Sequence, residues 1–263
     1  MVGLSPLYAT EVLGPVLLSR FPGFSKRKRW FLRYRNQDHD LSHLDQTNER
    51  GAVLLSMVSP ARLRRLLEQM LDPEEFLSDH GVRAVSAFHR EEPCRVDIEG
   101  MHYEVDYEPA ESRSGLFGGN SNWRGPVWFP VNYLIVESLR EYNKYVGPDF
   151  RVEHPAGSGN MATLAEVADD LTQRLVSIFL QDEQGRRPVF GGVEKFHTDP
   201  ARRDVVLFFE YYHGDTGAGL GASHQTGWTG LVADLITRRR WTHSKAPVKQ
   251  GGAAFTQAFA AEP

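Results

Sequence analysis

The alternation of amphipathic helical segments with long glycine-rich loops constrains the fold of this chain more than any other feature. Apolar residues recur at the spacing of one helix face in four segments. Two starts are well marked, because Ser59-Pro60 combines an N-cap with a proline suited to the first helical turn, and Thr163 to Glu166 form a capping box. The predicted helices cover approximately residues 59–71, 127–145, 163–179 and 227–238.

The segments between and around these helices complete the fold prediction. The stretch "CRVDIEGMHYEVDYE" alternates apolar and polar residues around Glu99-Gly100, which predicts one β-hairpin. At the N-terminus Leu4, Leu7, Tyr8 and Val12 form a further helix-like apolar stripe. We therefore predict an all-α array of helical hairpins over residues 1–238, followed by a flexible tail over 239–263. The helices and loops are expected to form one domain whose loops build a site at one end.

Composition excludes several classes of function. The chain has 263 residues, a formal net charge of −4 and an isoelectric point near 6.2, so no global field attracts nucleic acid or an anionic membrane. The basic run Lys26 to Arg29 is short and is interpreted as a solvated helix face. Cys94 is the single cysteine and forms no internal disulfide, which favours a reducing, cytoplasmic location and a buried apolar role for its side chain. Neither a metal-binding motif nor a nucleotide-binding loop occurs, so no metal or cofactor is predicted.

The first candidate site loop reads "GGNSNWRGPVWFP" and immediately precedes the second predicted helix. Its glycines permit close backbone approach, and its prolines fix the start of the helix. A sugar ring has apolar C–H faces and a rim of hydroxyls, so its binding site combines flat aromatic rings with amide and guanidinium donors. The loop offers both, with aromatic platforms and polar partners at Asn120, Asn122, Trp123, Arg124 and Trp128. The alternative is that the two tryptophans only anchor the loop to the core.

The second candidate loop reads "FFEYYHGDTGAGLGASHQTGW". Glu210 follows an apolar run and precedes two tyrosines, a setting in which a carboxylate can hold and deprotonate a water. The glycines that follow bend the chain, so we expect His224, Gln225 and Trp228 to lie at the same opening of the site as Glu210. An ordinary surface position for Glu210 and a structural, hydrogen-bonded role for His213 and His224 remain open from the pattern alone.

Together the two loops resemble the C-terminal part of the catalytic domain of glycoside hydrolase family 63, particularly its bacterial mannosylglycerate hydrolase and α-glucosidase-like branch. The resemblance covers about residues 1 to 238, and its two motifs are specific in combination. It implies an (α/α)6 toroid and hydrolysis of an α-glycosidic bond with inversion. The base position of the motif falls on Glu210. The sugar-contacting positions fall on Asn122, Trp123, Arg124, Trp128 and Trp228.

One departure from that family concerns the general acid. An inverting glycosidase needs two carboxyl groups, whereas the acid of the resembling family lies N-terminal to everything present in this chain. The resemblance therefore implies the base-carrying C-terminal part of a domain whose missing N-terminal half would be its partner. Weak local substitutes for the acid are Asp106, Glu108, Glu111 and Asp215. The rival hypotheses are a non-catalytic carbohydrate-binding half-toroid and a helical scaffold with packed aromatic loops.

Overall fold

The computed structural model describes residues 2–35, 42–113 and 122–243. The α-helices are α1 (Pro15–Arg20), α2 (Pro22–Arg35), α3 (Pro60–Met70), α4 (Phe129–Val146), α5 (Leu164–Ser177), α6 (Glu194–Thr198), α7 (Thr226–Thr229) and α8 (Val232–His243). The strands are β1 (Thr10–Leu13), β2 (Val53–Ser56), β3 (Leu77–Ser78), β4 (Gly81–Val82), β5 (Cys94–Ile98), β6 (Met101–Val105), β7 (Arg151–Glu153), β8 (Met161–Thr163), β9 (Tyr211–Tyr212) and β10 (Gly219–Leu220). These strands form antiparallel two-stranded ribbons, in which β1 pairs with β2, β3 with β4, β5 with β6, β7 with β8 and β9 with β10.

Helices α4 and α5 pack against each other at the centre of the core. The apolar positions that predicted them, such as Ile135 and Leu139 in α4 and Leu171 and Leu175 in α5, are almost fully buried. Burial of such side chains supplies the main stabilisation of helices this short. Among the residues that the structure describes, no helix is both long and apolar enough to cross a membrane.

The helix boundaries agree with the sequence signals where a local cap sets them. Ser59 accepts a hydrogen bond from the Arg62 amide at the start of α3. Thr163 and Glu166 form the complete capping box of α5. The last predicted helix is wrong in one respect, because the chain turns at Gly230 and divides it into α7 and α8. The predicted tail begins inside α8, and residues 244–263 lie outside the described part of the chain.

The N-terminal segment differs from its predicted helical stripe. Residues Val2–Tyr8 form a 3₁₀-helix, in which Leu4 and Leu7 are buried. Val12 then lies in strand β1, where it pairs with Leu54 of β2. Leu4, Tyr8 and Val12 are spaced by four residues, which fits both the period of a helix and the alternation of a strand. Over so few residues the sequence could not distinguish the two structures.

The predicted hairpin is confirmed as β5–β6. Glu99 and Gly100 have φ angles of 51° and 81°, which is the left-handed pair that a tight two-residue hairpin turn requires. Its strands are exposed along most of their length. Cys94, predicted to be buried, is exposed at the base of this hairpin because no second layer covers the ribbon.

Replacing Thr163 by alanine should lower the free energy of unfolding by about 1 kcal/mol. The substitution removes the hydroxyl that accepts from the Glu166 amide at the start of α5. Denaturant unfolding measures the change. Thr198→Ala is the matched control, because its exposed hydroxyl donates within α6 and caps nothing, so alanine should be tolerated there. Equal losses for the two variants would contradict the capping assignment.

Candidate active site

The two loops singled out in the sequence are joined by backbone hydrogen bonds at Val127. The Val127 amide donates to the Tyr212 carbonyl at 2.8 Å, and the Tyr212 amide donates back at 3.0 Å. On its other side Val127 forms a bridge with Arg83. Val127, predicted as the first residue of a helix, therefore lies in a short three-segment ladder, and α4 begins after it.

A second crossing of the loops depends on two glycines. A Cβ atom on Gly214 would lie 2.6 Å from the Gly125 carbonyl oxygen and 2.5 Å from the Tyr107 hydroxyl. A Cβ atom on Gly125 would lie 2.6 Å from the Glu108 carbonyl oxygen. Neither glycine has a positive φ angle, so close backbone approach, rather than an unusual backbone conformation, explains these glycines.

The tryptophans form one aromatic cluster with Tyr211. The Trp123 and Trp128 rings stack at a centroid distance of 3.7 Å, and Tyr211 stacks on Trp128 at 4.9 Å. Trp228 meets Trp128 edge-on at 6.3 Å. Trp128 is 2 % exposed, whereas Trp123 and Trp228 are 37 % and 38 % exposed. Trp128 therefore supports the cluster and has no open face for a sugar, and the accessible aromatic surface belongs to Trp123 and Trp228.

Glu210 lies directly beside this cluster. The Trp228 indole donates to the Glu210 carbonyl at 3.0 Å, so the backbone of the candidate base is tied to one of the exposed platforms. Its side chain is half-buried, and its Oε2 atom lies 3.5 Å from the Ala222 amide. A Cβ atom on Gly221 would come within 2.8 Å of that oxygen, so the bend at Gly221 leaves space for the carboxylate. The expected convergence of Glu210 with the tryptophans is thus seen in the structure.

The polar residues of the tryptophan loop have internal partners. The Asn122 amide donates to the carbonyls of Glu108 and Ala110, and its oxygen accepts from the Arg124 amide. The Arg124 guanidinium pairs with Glu108 and donates to the Ser112 hydroxyl at 2.7 Å. Both residues are at most 3 % exposed, so in this arrangement their side chains hold the loop rather than face solvent. Asn120 lies outside the described residues.

Most of the carboxylates considered as local acids are also paired. Asp106 and Glu108 contact Arg113 and Arg124. Asp215 accepts from the Tyr107 hydroxyl at 2.7 Å and from Arg90 at 2.7 Å, with Arg83 at 3.3 Å. Burial and then this hydrogen bond to Asp215 raise the pKa of the Tyr107 phenol above its ordinary value.

Glu111 is the remaining carboxylate of this group, and it is exposed. Burial raises the pKa of Tyr211, and the negative charges of Glu111 and Glu210 raise it further. Tyr211 also stacks on Trp128 and in this way joins the two loops, although the sequence singled it out only as a neighbour of Glu210.

The remaining predicted residues lie along the same loop. The backbone amide of Gln225 donates to the Phe208 carbonyl at 2.8 Å, and Gln225 immediately precedes α7. His224 is exposed and forms a bridge with Phe208. His213 accepts through Nδ1 from the Asp215 amide at 3.1 Å, and burial lowers its pKa, which is the structural role left open for it. No group of three or more metal-ligating side chains occurs among residues 2–35, 42–113 and 122–243.

Similarity to known proteins identifies the class of protein in which these two interlocked loops occur. A family model for the mannosylglycerate hydrolase MGH1-like glycoside hydrolase domain matches residues 24–229. The chain belongs to this family, and the family resemblance drawn from its two loops is confirmed. The matched range includes every candidate site residue from Asn122 to Trp228, so these residues are part of the family domain.

Three fungal relatives extend the comparison. The chain is 47 % identical over 241 residues to the uncharacterised Saccharomyces cerevisiae protein YMR196W, covering 90 % of this chain and 22 % of that protein. It is 26 % identical to the mannosyl-oligosaccharide glucosidase of the same yeast, over 71 % of this chain and 16 % of the relative. A probable mannosyl-oligosaccharide glucosidase of Schizosaccharomyces pombe is 25 % identical over 67 % of this chain and 15 % of its own length. The chain thus spans about a fifth or less of each of these relatives.

Gly214→Ala should destabilise the protein by about 1–3 kcal/mol, because the added methyl group would meet the Gly125 carbonyl and the Tyr107 hydroxyl. Denaturant unfolding, followed by tryptophan fluorescence, measures the change and reports the aromatic cluster at the same time. Gly227→Ala is the control, since a Cβ atom there meets nothing within 4 Å. If both variants kept the wild-type stability and emission spectrum, the close crossing of the two loops would be disproved.

Proposed function

We propose that this chain carries the general base and part of the sugar site of an inverting α-glycoside hydrolase, with Glu210 as the base. The observation that carries the proposal is the position of Glu210, whose backbone is bonded to the indole of Trp228 beside the Trp123–Trp128 stack. A sugar ring bound against an exposed indole face would lie next to this carboxylate. The membership of a glycoside hydrolase family supports the same chemistry.

In the proposed reaction Glu210 takes a proton from a water molecule as the water oxygen attacks the anomeric carbon. The bond from that carbon to the leaving oxygen breaks, and a second carboxyl group on the opposite face gives that oxygen a proton. Inverting enzymes separate the two carboxyl groups by about 6.5–9.5 Å, which leaves room for the water. We assign the sugar contacts to Trp123 and Trp228, with Gln225 and His224 at the rim and Asn122, Arg124 and Trp128 holding the loop.

The acid is proposed to come from another part of the same domain. Asp106, Glu108 and Asp215 are each paired with arginines, so their carboxylates are engaged within the protein. The proposed complete fold is an (α/α)6 toroid, of which residues 1–238 contribute a C-terminal part, with an N-terminal part as its partner. A glucoside or mannosylglycerate-like substrate is proposed from the family and the names of the relatives. A cytoplasmic location is proposed because the single cysteine forms no internal disulfide.

A non-catalytic carbohydrate-binding domain is the second candidate. The observation that favours it is the pairing of those same local carboxylates with arginines, which leaves Glu111 as the remaining local candidate for the acid. In that case Trp123→Ala would weaken sugar binding, measured by calorimetry, while no substrate would be hydrolysed even by the complete domain.

In the complete hydrolase domain, Glu210→Gln should lower kcat by about 10²–10⁴-fold, because the amide keeps the shape of the side chain and cannot accept the proton of water. Sugar affinity should change little. Glu68→Gln is the matched control, since Glu68 is an exposed residue of α3. Nuclear magnetic resonance of the first product formed gives the anomeric outcome. An unchanged kcat, or retention of configuration, would refute the assignment of Glu210.

The chain of residues 1–263 alone should hydrolyse ordinary glycosides little or not at all, because an unprotonated sugar oxygen is a poor leaving group. Fluoride needs less protonation, so a glycosyl fluoride is expected to be the first substrate on which residual activity appears. A fluoride electrode measures the release, and Glu210→Gln should abolish it. Rapid hydrolysis of an unactivated disaccharide would show that this chain holds its own acid, and Glu111→Gln would then be the first variant to measure.

A further inference from the structure

A large apolar cleft lies on the outer side of the aromatic cluster. Its volume is about 880 Å³, within the range of sites that bind small molecules. Trp123 forms one wall with Val131, and the 3₁₀-helix at the N-terminus contributes Tyr8. Cys94 and Val105, the paired residues at the base of the β5–β6 hairpin, form another part of the wall. The exposed platform of the candidate sugar site is therefore also a boundary of this cleft.

The β5–β6 hairpin continues this apolar wall outward. Its two faces differ, because cross-strand partners and alternate residues of a ribbon share a face. One face carries the Arg95–Glu104 ion pair at 2.8 Å and the Asp97–His102 contact. The face that includes Cys94 and Val105 is apolar throughout, with Val96, Ile98, Met101 and Tyr103 between 37 % and 55 % exposed. A contiguous apolar face of this kind is unusual on the solvent-exposed surface of a protein.

Most of the polar side chains described at the cleft are already hydrogen-bonded within the protein, and the Tyr8 hydroxyl is an exception without a partner among the described residues. Ser86 donates to Glu75, and His89 Nδ1 lies 2.8 Å from the Glu92 carbonyl. Arg124 is paired with Glu108 and Ser112. A leaving group rich in hydroxyls would therefore exchange its hydrogen bonds to water for few new ones, which is costly. An alkyl or aryl group has no hydrogen bonds to water to lose, and burial of its apolar surface favours binding.

We propose that the cleft and the apolar hairpin face bind an apolar aglycone, so that the preferred substrate is a glycoside with an alkyl or aryl leaving group. The inference rests on the proposed function, because it places the sugar against the tryptophans beside Glu210 and the leaving group in the adjoining cleft. It also separates this chain from relatives whose names indicate oligosaccharide substrates. The hairpin is the specificity-determining element of the site.

The single cysteine provides a direct test, because Cys94 is exposed and lines the cleft. The rate of its reaction with a thiol reagent is measured on the chain of residues 1–263 with octyl α-glucoside below its micelle concentration, methyl α-glucoside, or octanol. The octyl glucoside should slow the reaction about tenfold when roughly nine-tenths of the protein is bound. By calorimetry it should also bind about tenfold more tightly than the methyl glucoside, as burial of two or more methylene groups predicts.

Two hairpin variants locate the effect. Val96→Asp places a charge on the apolar face and should weaken octyl glucoside binding about tenfold, with no change for the methyl glucoside. Asp97→Asn is the control on the opposite face and should leave both affinities unchanged. Val96 and Asp97 are exposed, so neither substitution should disturb the core, and circular dichroism checks that the fold is kept.

The outcomes separate this inference from the proposed function. Equal affinities for the octyl and methyl glucosides would overturn the apolar aglycone and leave the sugar site intact. Protection of Cys94 by octanol as strongly as by the octyl glucoside, with no effect of Trp123→Ala, would show an apolar surface unrelated to a glycoside and would overturn the inference. No binding of any of the three compounds would overturn it as well, and would count against the proposed sugar site.

Discussion

The backbone pairing of Val127 with Tyr212 is the interaction on which the arrangement of the site depends. It joins the start of α4 to strand β9, and thereby sets the aromatic loop against the loop that carries Glu210. Asn132 reinforces it from within α4, since its side chain donates to the Val82 carbonyl at 3.0 Å and accepts from the Val82 amide at 2.7 Å. A buried backbone group without such a partner would carry a large free-energy penalty, so these bonds leave the loops few alternative arrangements.

The buried ion pair of Arg124 with Glu108 has a related positioning role. A buried ion pair adds little net stability compared with an apolar pair, but removing one partner leaves an unpaired charge in the interior. Glu108 also lies where its carbonyl meets Gly125 and accepts from Asn122. The pair therefore fixes the tryptophan loop in one position, and the position of Trp123, next to Arg124, follows from it. The polar residues of the loop thus contribute to a sugar site by placing an aromatic ring.

The sequence was sufficient for features that local chemistry determines, and insufficient for those that depend on distant partners. The cap of α5 and the turn at Glu99-Gly100 need only neighbouring residues, and both were predicted. The strand pairing of Val12, the bridge at Val127 and the burial of Arg124 each depend on a partner far along the chain. Their own patterns fit more than one structure, as with the apolar stripe that begins at Leu4. Convergence of the two loops was accessible because both combine glycines with aromatic residues, a composition unsuited to either a helix or a strand.

The exposures of the three tryptophans give the site a direction. Trp128 is buried between its stacking partners, so the cluster offers a ligand only the free surfaces of Trp123 and Trp228. Trp228 is bonded to the backbone of Glu210, whereas Trp123 borders the apolar cleft. A glycoside that used both tryptophans would then have its reacting carbon near Trp228 and its leaving group beyond Trp123. Trp128, the buried ring that contacts both Trp123 and Trp228, would in this way separate the place of the reaction from the place where the leaving group is recognised.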